Sequence, residues 1–224
     1  MTVWLVKALL QARPGGDPPS ARTGDDGAMG ELILLRHGET EWSASGRHTG
    51  RTDIPLTARG EAAAVALAPA LARRQISAAF TSPATRAVRT AELAGLTDAK
   101  PDPDLGEWDY GGYEGLTTPQ IQVQRPGWYL WRDGVIPGDA AHPGETVGQV
   151  GLRTDTVLAR VDPLLAEGDV ALVAHGHVLR VLTARWLQLD PDDGRLYRLD
   201  TGTFSTLGTE HGYPVIMTWN VPPG

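Results

Sequence analysis

Two short apolar runs in this chain end in the same way. The run from Glu31 through Leu32-Ile33-Leu34-Leu35 leads into Arg36-His37-Gly38, and Asp169 to Ala174 leads into His175-Gly176-His177. Apolar runs without a polar face suit strands covered on both sides, as in a parallel sheet between two helical layers. In open α/β sheets, ligands bind at the carboxyl ends of the strands. Each run thus carries an imidazole to the edge where a site forms, the first with a guanidinium beside it. The glycines that follow let backbone come close to a ligand. A helix beginning at Gly176 would aim its free N–H groups and dipole at the same region and favour an anion there.

The rest of the chain fits that frame. Thr57 is an N-cap for an alanine-rich helix running to about Arg74, bent or interrupted at Pro69, where a missing N–H and a ring clash cost about 3 kcal/mol. Ile76–Thr81 reads as a strand, and Ser82-Pro83 opens a helix through Leu93. Residues 96–144 lack periodicity and are rich in Gly, Pro, Trp and Tyr, a long loop with short helical pieces of the kind that often covers a site. Val147, Val150, Thr154, Val157, Leu158, Val161 and Leu165 recur at helical spacing, and Val178, Val181, Leu182 and Trp186 line one face of another helix. Thr203–Leu207 and Val215–Trp219 form a closing hairpin. Strands alternating with helices predict a three-layer α/β/α domain with a mostly parallel central sheet.

Residues 29–224 make one domain on the usual length of roughly 150 residues. Residues 1–28 differ, with Arg13-Pro14-Gly15-Gly16 and Gly24-Asp25-Asp26-Gly27 after a mildly apolar start. They read as a disordered extension, since Lys7 interrupts the apolar stretch and no signal-peptide cleavage site follows it. Met29 is an alternative start, and the cytoplasm is the default compartment. The net charge of −7 speaks against nucleic acid, whose binding needs clustered Lys and Arg. With no cysteine, thiolate nucleophiles, disulfides and cysteine metal sites are excluded. No apolar run approaches the ~20 residues of a membrane span.

The strand ending at Thr81-Ser82 is followed by Arg86 and Arg89. Arginine there offers a fork of donors matched to phosphate oxygens, although Arg86 alone reads as a surface residue. An imidazole beside fixed cations can attack phosphorus, and the leaving alkoxide then needs a proton donor. Glu107, Asp109 and Glu114 are candidates, and spacing leaves the choice open. His175-x-His177 could also be a metal pair, but His48, His142 and His211 lack ligand spacing and sit in loops, with His142 and His211 facing solvent. Trp128, Tyr129 and Trp131 either roof a pocket or pack the long loop onto the body, and packing is the simpler reading.

Four ordered segments carry a resemblance. Leu35-Arg36-His37-Gly38-Glu39-Thr40-Glu41-Trp42 with Gly46-Arg47-His48-Thr49-Gly50, then Ser82-Pro83-Ala84-Thr85-Arg86, then Leu105 to Gly115, then Ala174-His175-Gly176-His177 resemble the histidine phosphatase superfamily, also called phosphoglycerate mutase-like. The resemblance spans about 31–220. It implies that His37 is the nucleophile, that Arg36, Arg86 and His175 surround the phosphoryl group, and that Glu107 is the general acid. Ser43, Thr49, Gly50, Tyr110, Gly176 and His177 match substrate-binding positions, with backbone near His177 completing a phosphate cradle. It implies neither metal nor cofactor; His175 is expected to be cationic or a donor in the transition state, and a homodimer is left open. Mutases carry asparagine at the position of Ser43 and Arg-His-Tyr after the acid, where this chain has Trp108-Asp109-Tyr110. The wording is closer to acid phosphatase and sedoheptulose-bisphosphatase-like members. The expected function is a phosphomonoesterase for a small phosphorylated metabolite, such as a sugar phosphate, with mutase-type transfer or a non-catalytic phosphate-binding module as alternatives.

Overall fold

The computed structural model describes residues 29–224; the expectation of a disordered stretch over 1–28 lies outside the described residues. In chain order the elements are β1 (Leu32–Arg36), α1 (Glu41–Ser45), α2 (Ala58–Leu71), β2 (Ile76–Thr81), α3 (Thr85–Leu93) and β3 (Lys100–Pro101). There follow α4 (Thr118–Gln124), α5 (Leu130–Asp133), α6 (Val147–Val161), β4 (Asp169–Ala174), α7 (Gly176–Trp186), β5 (Phe204–Glu210) and β6 (Tyr213–Val221). The sheet order is β3-β2-β4-β1-β5-β6. The four strands from β3 to β1 are parallel, and β5 and β6 run antiparallel to close the other edge.

The two apolar runs are buried on both faces because their side chains alternate between two cores. Leu32 and Leu34 of β1 join Val170, Leu172 and Ala174 of β4 under α6 and α7. Ile33 and Leu35 join Ala171 and Val173 under α2 and α3. Helices on both faces complete the three layers. Because β4 lies between β2 and β1, with Arg36 opposite Ala174 and Thr81 opposite Val173, the residues after those three strands emerge side by side.

Several local expectations shift. Helix α2 passes through Pro69 and stops at Leu71, short of Arg74. The hydrogen bond that Pro69 cannot make would go to Val65, which is 52% exposed, so water can satisfy that carbonyl and the helix tolerates the proline near its end. The helix after Ser82-Pro83 begins at Thr85, where Asp53 from another loop accepts from the Thr85 N–H and hydroxyl. The hairpin strands are longer than expected and turn through His211 and Gly212, whose φ values of 51° and 79° are those of a type I′ turn. Residues 96–144 hold β3, α4 and α5. They are anchored by Trp108, Trp128 and Trp131, all buried in the α6–α7 core, with the Trp108 and Trp128 indole N–H groups donating to Glu145 O and Gly134 O. Tyr129 alone of the expected aromatic group is exposed.

Candidate active site

Three strand ends meet at one edge, bringing His37 from β1, His175 from β4 and Ser82 from β2 together. The His37 and His175 rings lie 5.1 Å apart, edge to face. His37 Nδ1 is 2.7 Å from Gly38 O; a carbonyl can only accept, so the proton sits on Nδ1 and the Nε2 lone pair is free. Burial, then the Arg36 and Arg86 charges, push the His37 imidazole well below its ordinary value of 6.5. The ring is therefore neutral and nucleophilic.

Arg86 is 1% exposed, contrary to its reading as a surface residue. Its Nε donates to His175 Nδ1 at 3.2 Å, and its terminal nitrogens donate to Thr52 O at 3.0 Å and Gly50 O at 2.9 Å. The guanidinium thus clamps the 49–52 loop while fixing a histidine. Because Nδ1 of His175 accepts, its Nε2 carries the proton and donates to Ser82 Oγ at 2.7 Å. Burial and the neighbouring Arg86 charge hold this imidazole well below its ordinary value too. Of the two expected forms, cationic or hydrogen-bond donor, the resting geometry fits a neutral N–H donor.

Arg36 donates through one terminal nitrogen to Leu199 O, while its buried Nε has no hydrogen-bond partner among the described residues. Buried donors are seldom left unused, and such exceptions often mark functional positions. A Cβ on Gly176 would stand 3.2 Å from the Arg36 guanidinium carbon, so this glycine makes room for Arg36. Gly38 has a parallel use: a Cβ there would meet Gly60 O of α2 at 2.3 Å. Both glycines admit other parts of the protein.

Geometry separates the three carboxylates. Glu114 holds the loop by accepting from the Gly50 and Thr52 amides. Asp109 is buried, accepts from the Gly111 amide and pairs with Arg51 at 2.8 Å. Glu107 is set apart by accepting from the His177 amide at 3.0 Å and the Val178 amide at 2.9 Å, the first turn of α7, and from its neighbour Trp108. A carboxylate there satisfies orphan N–H groups and meets the positive end of the helix dipole. Glu107 and His175 line one cavity of about 500 Å³, together with Gly50, Arg51, Ser82 and Arg153. What this arrangement can do is hold a phosphoryl group among cations and neutral donors, with a nucleophile on one side and a carboxylate close by.

Residues 32–222 match the family described as the histidine phosphatase superfamily (branch 1). The chain belongs to this superfamily. An acid phosphatase of Mycobacterium tuberculosis is 41% identical over 183 residues, covering 81% of this chain and 87% of that protein. A sedoheptulose 1,7-bisphosphatase of Saccharomyces cerevisiae is 38% identical over 189 residues, covering 70% and 67%. A solved structure of an open reading frame product from M. tuberculosis superposes with a TM-score of 0.81 at 38% identity, covering 87% of this chain and 99% of that one.

This histidine phosphatase places the other expected positions less uniformly. The Ser43 hydroxyl donates to Thr40 O and accepts from the Thr40 amide, a capping box that occupies it within α1. The Thr49 hydroxyl donates to Arg47 O, and the His177 amide is given to Glu107. Burial and the Glu107 charge keep the Tyr110 phenol protonated, well above its ordinary value. It shares a hydrogen bond of 2.6 Å with His177 Nδ1, whose ring is held neutral by burial and by Arg180. The His48 ring lies 4.8 Å from Tyr110, and burial lowers it to about 4. His175 and His177 thus face different partners, and no group of three or more His, Cys, Asp or Glu among the described residues is arranged to hold a metal ion. His142 approaches the Thr52 hydroxyl at 3.5 Å and is part-buried; His211 faces solvent at the hairpin turn. Ser82, Asp53, Glu145 and Arg153 were not singled out from sequence. Ser82 was within reach, as the polar residue ending the third strand. No helix among the described residues is long and apolar enough to cross a membrane.

Proposed function

We propose that this phosphatase hydrolyses monoesters of small phosphorylated metabolites, sugar phosphates in particular, through a phosphohistidine at residue 37. The observation that carries the reading is the free Nε2 of His37 among two buried arginines, one with an unused N–H, and the His175 N–H. Nε2 attacks phosphorus, the bond to the ester oxygen breaks, and Glu107 gives that oxygen a proton. The imidazolium so formed donates from Nδ1 to Gly38 O, which steadies the new charge. Water then attacks phosphorus as Glu107 takes its proton, and phosphate leaves with His37 restored. Arg36 and Arg86 neutralise charge on the equatorial oxygens and the His175 N–H donates to one of them, where such a reaction needs most help. The names of the acid phosphatase and bisphosphatase relatives support the substrate class, and the loop clamped by Arg86 supports Thr49 and Gly50 as its neighbours.

The test is a kinetic screen of phosphorylated metabolites that includes a phosphoglycerate mutase assay. Phosphate release from sugar phosphates should dominate. Transfer between carbon positions of phosphoglycerate at a rate rivalling release would overturn the reading.

The pH profile should carry a signature. Protonation of Nε2 removes the nucleophile, so kcat/KM must fall as pH drops through the His37 value in the free enzyme. Because that value lies well below 6.5, the acid limb, corrected for substrate ionisation, should lie on the acid side of 6.5. A neutral His175 contributes no alkaline limb. An acid limb at or above 6.5 would show that burial and the two arginines together do not depress the ring.

A further inference from the structure

We propose that Arg153 of α6, braced by Glu145, is the positioning residue for Glu107. The inference rests on Glu107 being the general acid and adds what holds it in place. A guanidinium has five N–H donors, and each of Arg153's has a partner. Its Nε and one terminal nitrogen meet the two oxygens of Glu145 at 3.0 and 3.1 Å. The other terminal nitrogen donates to Asp104 O at 2.7 Å and Gly106 O at 2.6 Å, and the remaining hydrogen reaches Glu107 O at 3.1 Å. Three carbonyls of the segment bearing Glu107 are thus gathered on one side chain some 46 residues away in sequence.

Glu145 completes the frame. One of its oxygens accepts from the Asp109 amide at 2.9 Å, its own carbonyl accepts from the Trp108 indole, and its amide donates to Asp109 O. The backbone of residues 104–109 is therefore fixed from α6, while the Glu107 carboxylate is fixed from the first turn of α7. The two helices pack against each other, so acid and helix keep one relative position. Arg153 also borders the cavity that holds Glu107 and His175, and a cation there could be read as a substrate clamp. With all its donors engaged, it has none to offer a ligand. Its action runs through the backbone of Glu107, where displacements near 1 Å can cost about 10²-fold in rate.

Proton donation matters most when the leaving oxygen is strongly basic, and this separates positioning from general damage. The experiment compares kcat/KM for an alkyl phosphate, β-glycerophosphate, with that for p-nitrophenyl phosphate, whose leaving group needs little help. Arg153→Met should lower the alkyl value at least about tenfold more than the aryl value, out of the 10²–10⁴ that an acid contributes. Inhibition by inorganic phosphate should stay within about threefold of wild type, because the arginine and histidine donors to phosphate are untouched. Glu145→Gln, which keeps the shape and one acceptor oxygen, should show the same selective loss in smaller measure, and serves if Arg153→Met fails to fold. Equal losses on both esters, or no loss, overturn the proposal. Glu107→Gln is run alongside. If it too acts equally on both esters, the general-acid reading fails; if it is selective and Arg153→Met is not, only the positioning role fails.

Discussion

His37→Ala should abolish turnover, lowering kcat for an aryl phosphate by about 10⁴-fold or more, the scale seen when a covalent nucleophile is removed. The effect is large because no neighbouring group can substitute. His175 stands 5.1 Å away ring to ring, but its Nδ1 accepts from Arg86 and its Nε2 holds a proton, so neither nitrogen offers a lone pair. Acid quenching would destroy the phosphoramidate bond, so turnover is stopped with alkali. Wild-type enzyme should then yield a base-stable, acid-labile phosphoprotein and His37→Ala none. The fold should survive, since the ring's one recorded hydrogen bond is to the adjacent Gly38. A variant turning over within about tenfold of wild type would contradict covalent catalysis at this residue.

Arg86→Met should lower kcat/KM by about 10³-fold, combining loss of a charge that faces the phosphoryl group with loss of loop geometry. Without it, the Thr52 and Gly50 carbonyls lose their donor and His175 loses the contact that fixes its tautomer. His175 could then flip its proton to Nδ1 and stop donating from Nε2. Binding of inorganic phosphate should weaken in step. The rise in melting temperature that phosphate gives wild-type enzyme, which follows from its preferential binding to the folded state, should largely vanish. Arg86→Lys should rescue little, because an ammonium cannot reach a ring nitrogen and two carbonyls in one plane. Near-wild-type kcat/KM in that variant would show that a point charge suffices.

The two experiments probe residues of very different visibility. His37 stands out in the sequence because a long apolar run ends on it. Arg86 looks like any arginine on a helix that also carries Arg89, which is half-exposed and paired with Glu61 and Glu92. Tertiary surroundings decide between them: Arg86 is buried against His175, while Arg89 is half-exposed. The carboxylates pose the same problem. Glu107, Asp109 and Glu114 lie within eight residues of one another, and spacing could not rank them because the partners that distinguish them, Val178, Arg51 and Gly50, all lie far from them in the chain. Ser43 was expected to face substrate from its place in a motif, yet its hydroxyl is closed into the cap of α1; a short side chain that can reach its own backbone does so.

Hydrophobic patterning alone determined that Leu32–Leu35 and Val170–Ala174 would be interior strands, since only a sheet covered on both faces removes every side chain of such runs from water. It also determined that histidines would leave those strands at a ligand-binding edge. What patterning could not encode is that β4 inserts between β2 and β1. That choice of neighbours sets His175 between Ser82 and His37, and it is made by packing between segments almost 140 residues apart, where no local propensity acts. Tautomers, the unused N–H of Arg36 and the fivefold grip of Arg153 belong to the same class. Each is a matter of distances under 3.5 Å between remote residues, and hydrogen bonds fall off too steeply with distance and angle for anything short of the folded coordinates to specify them.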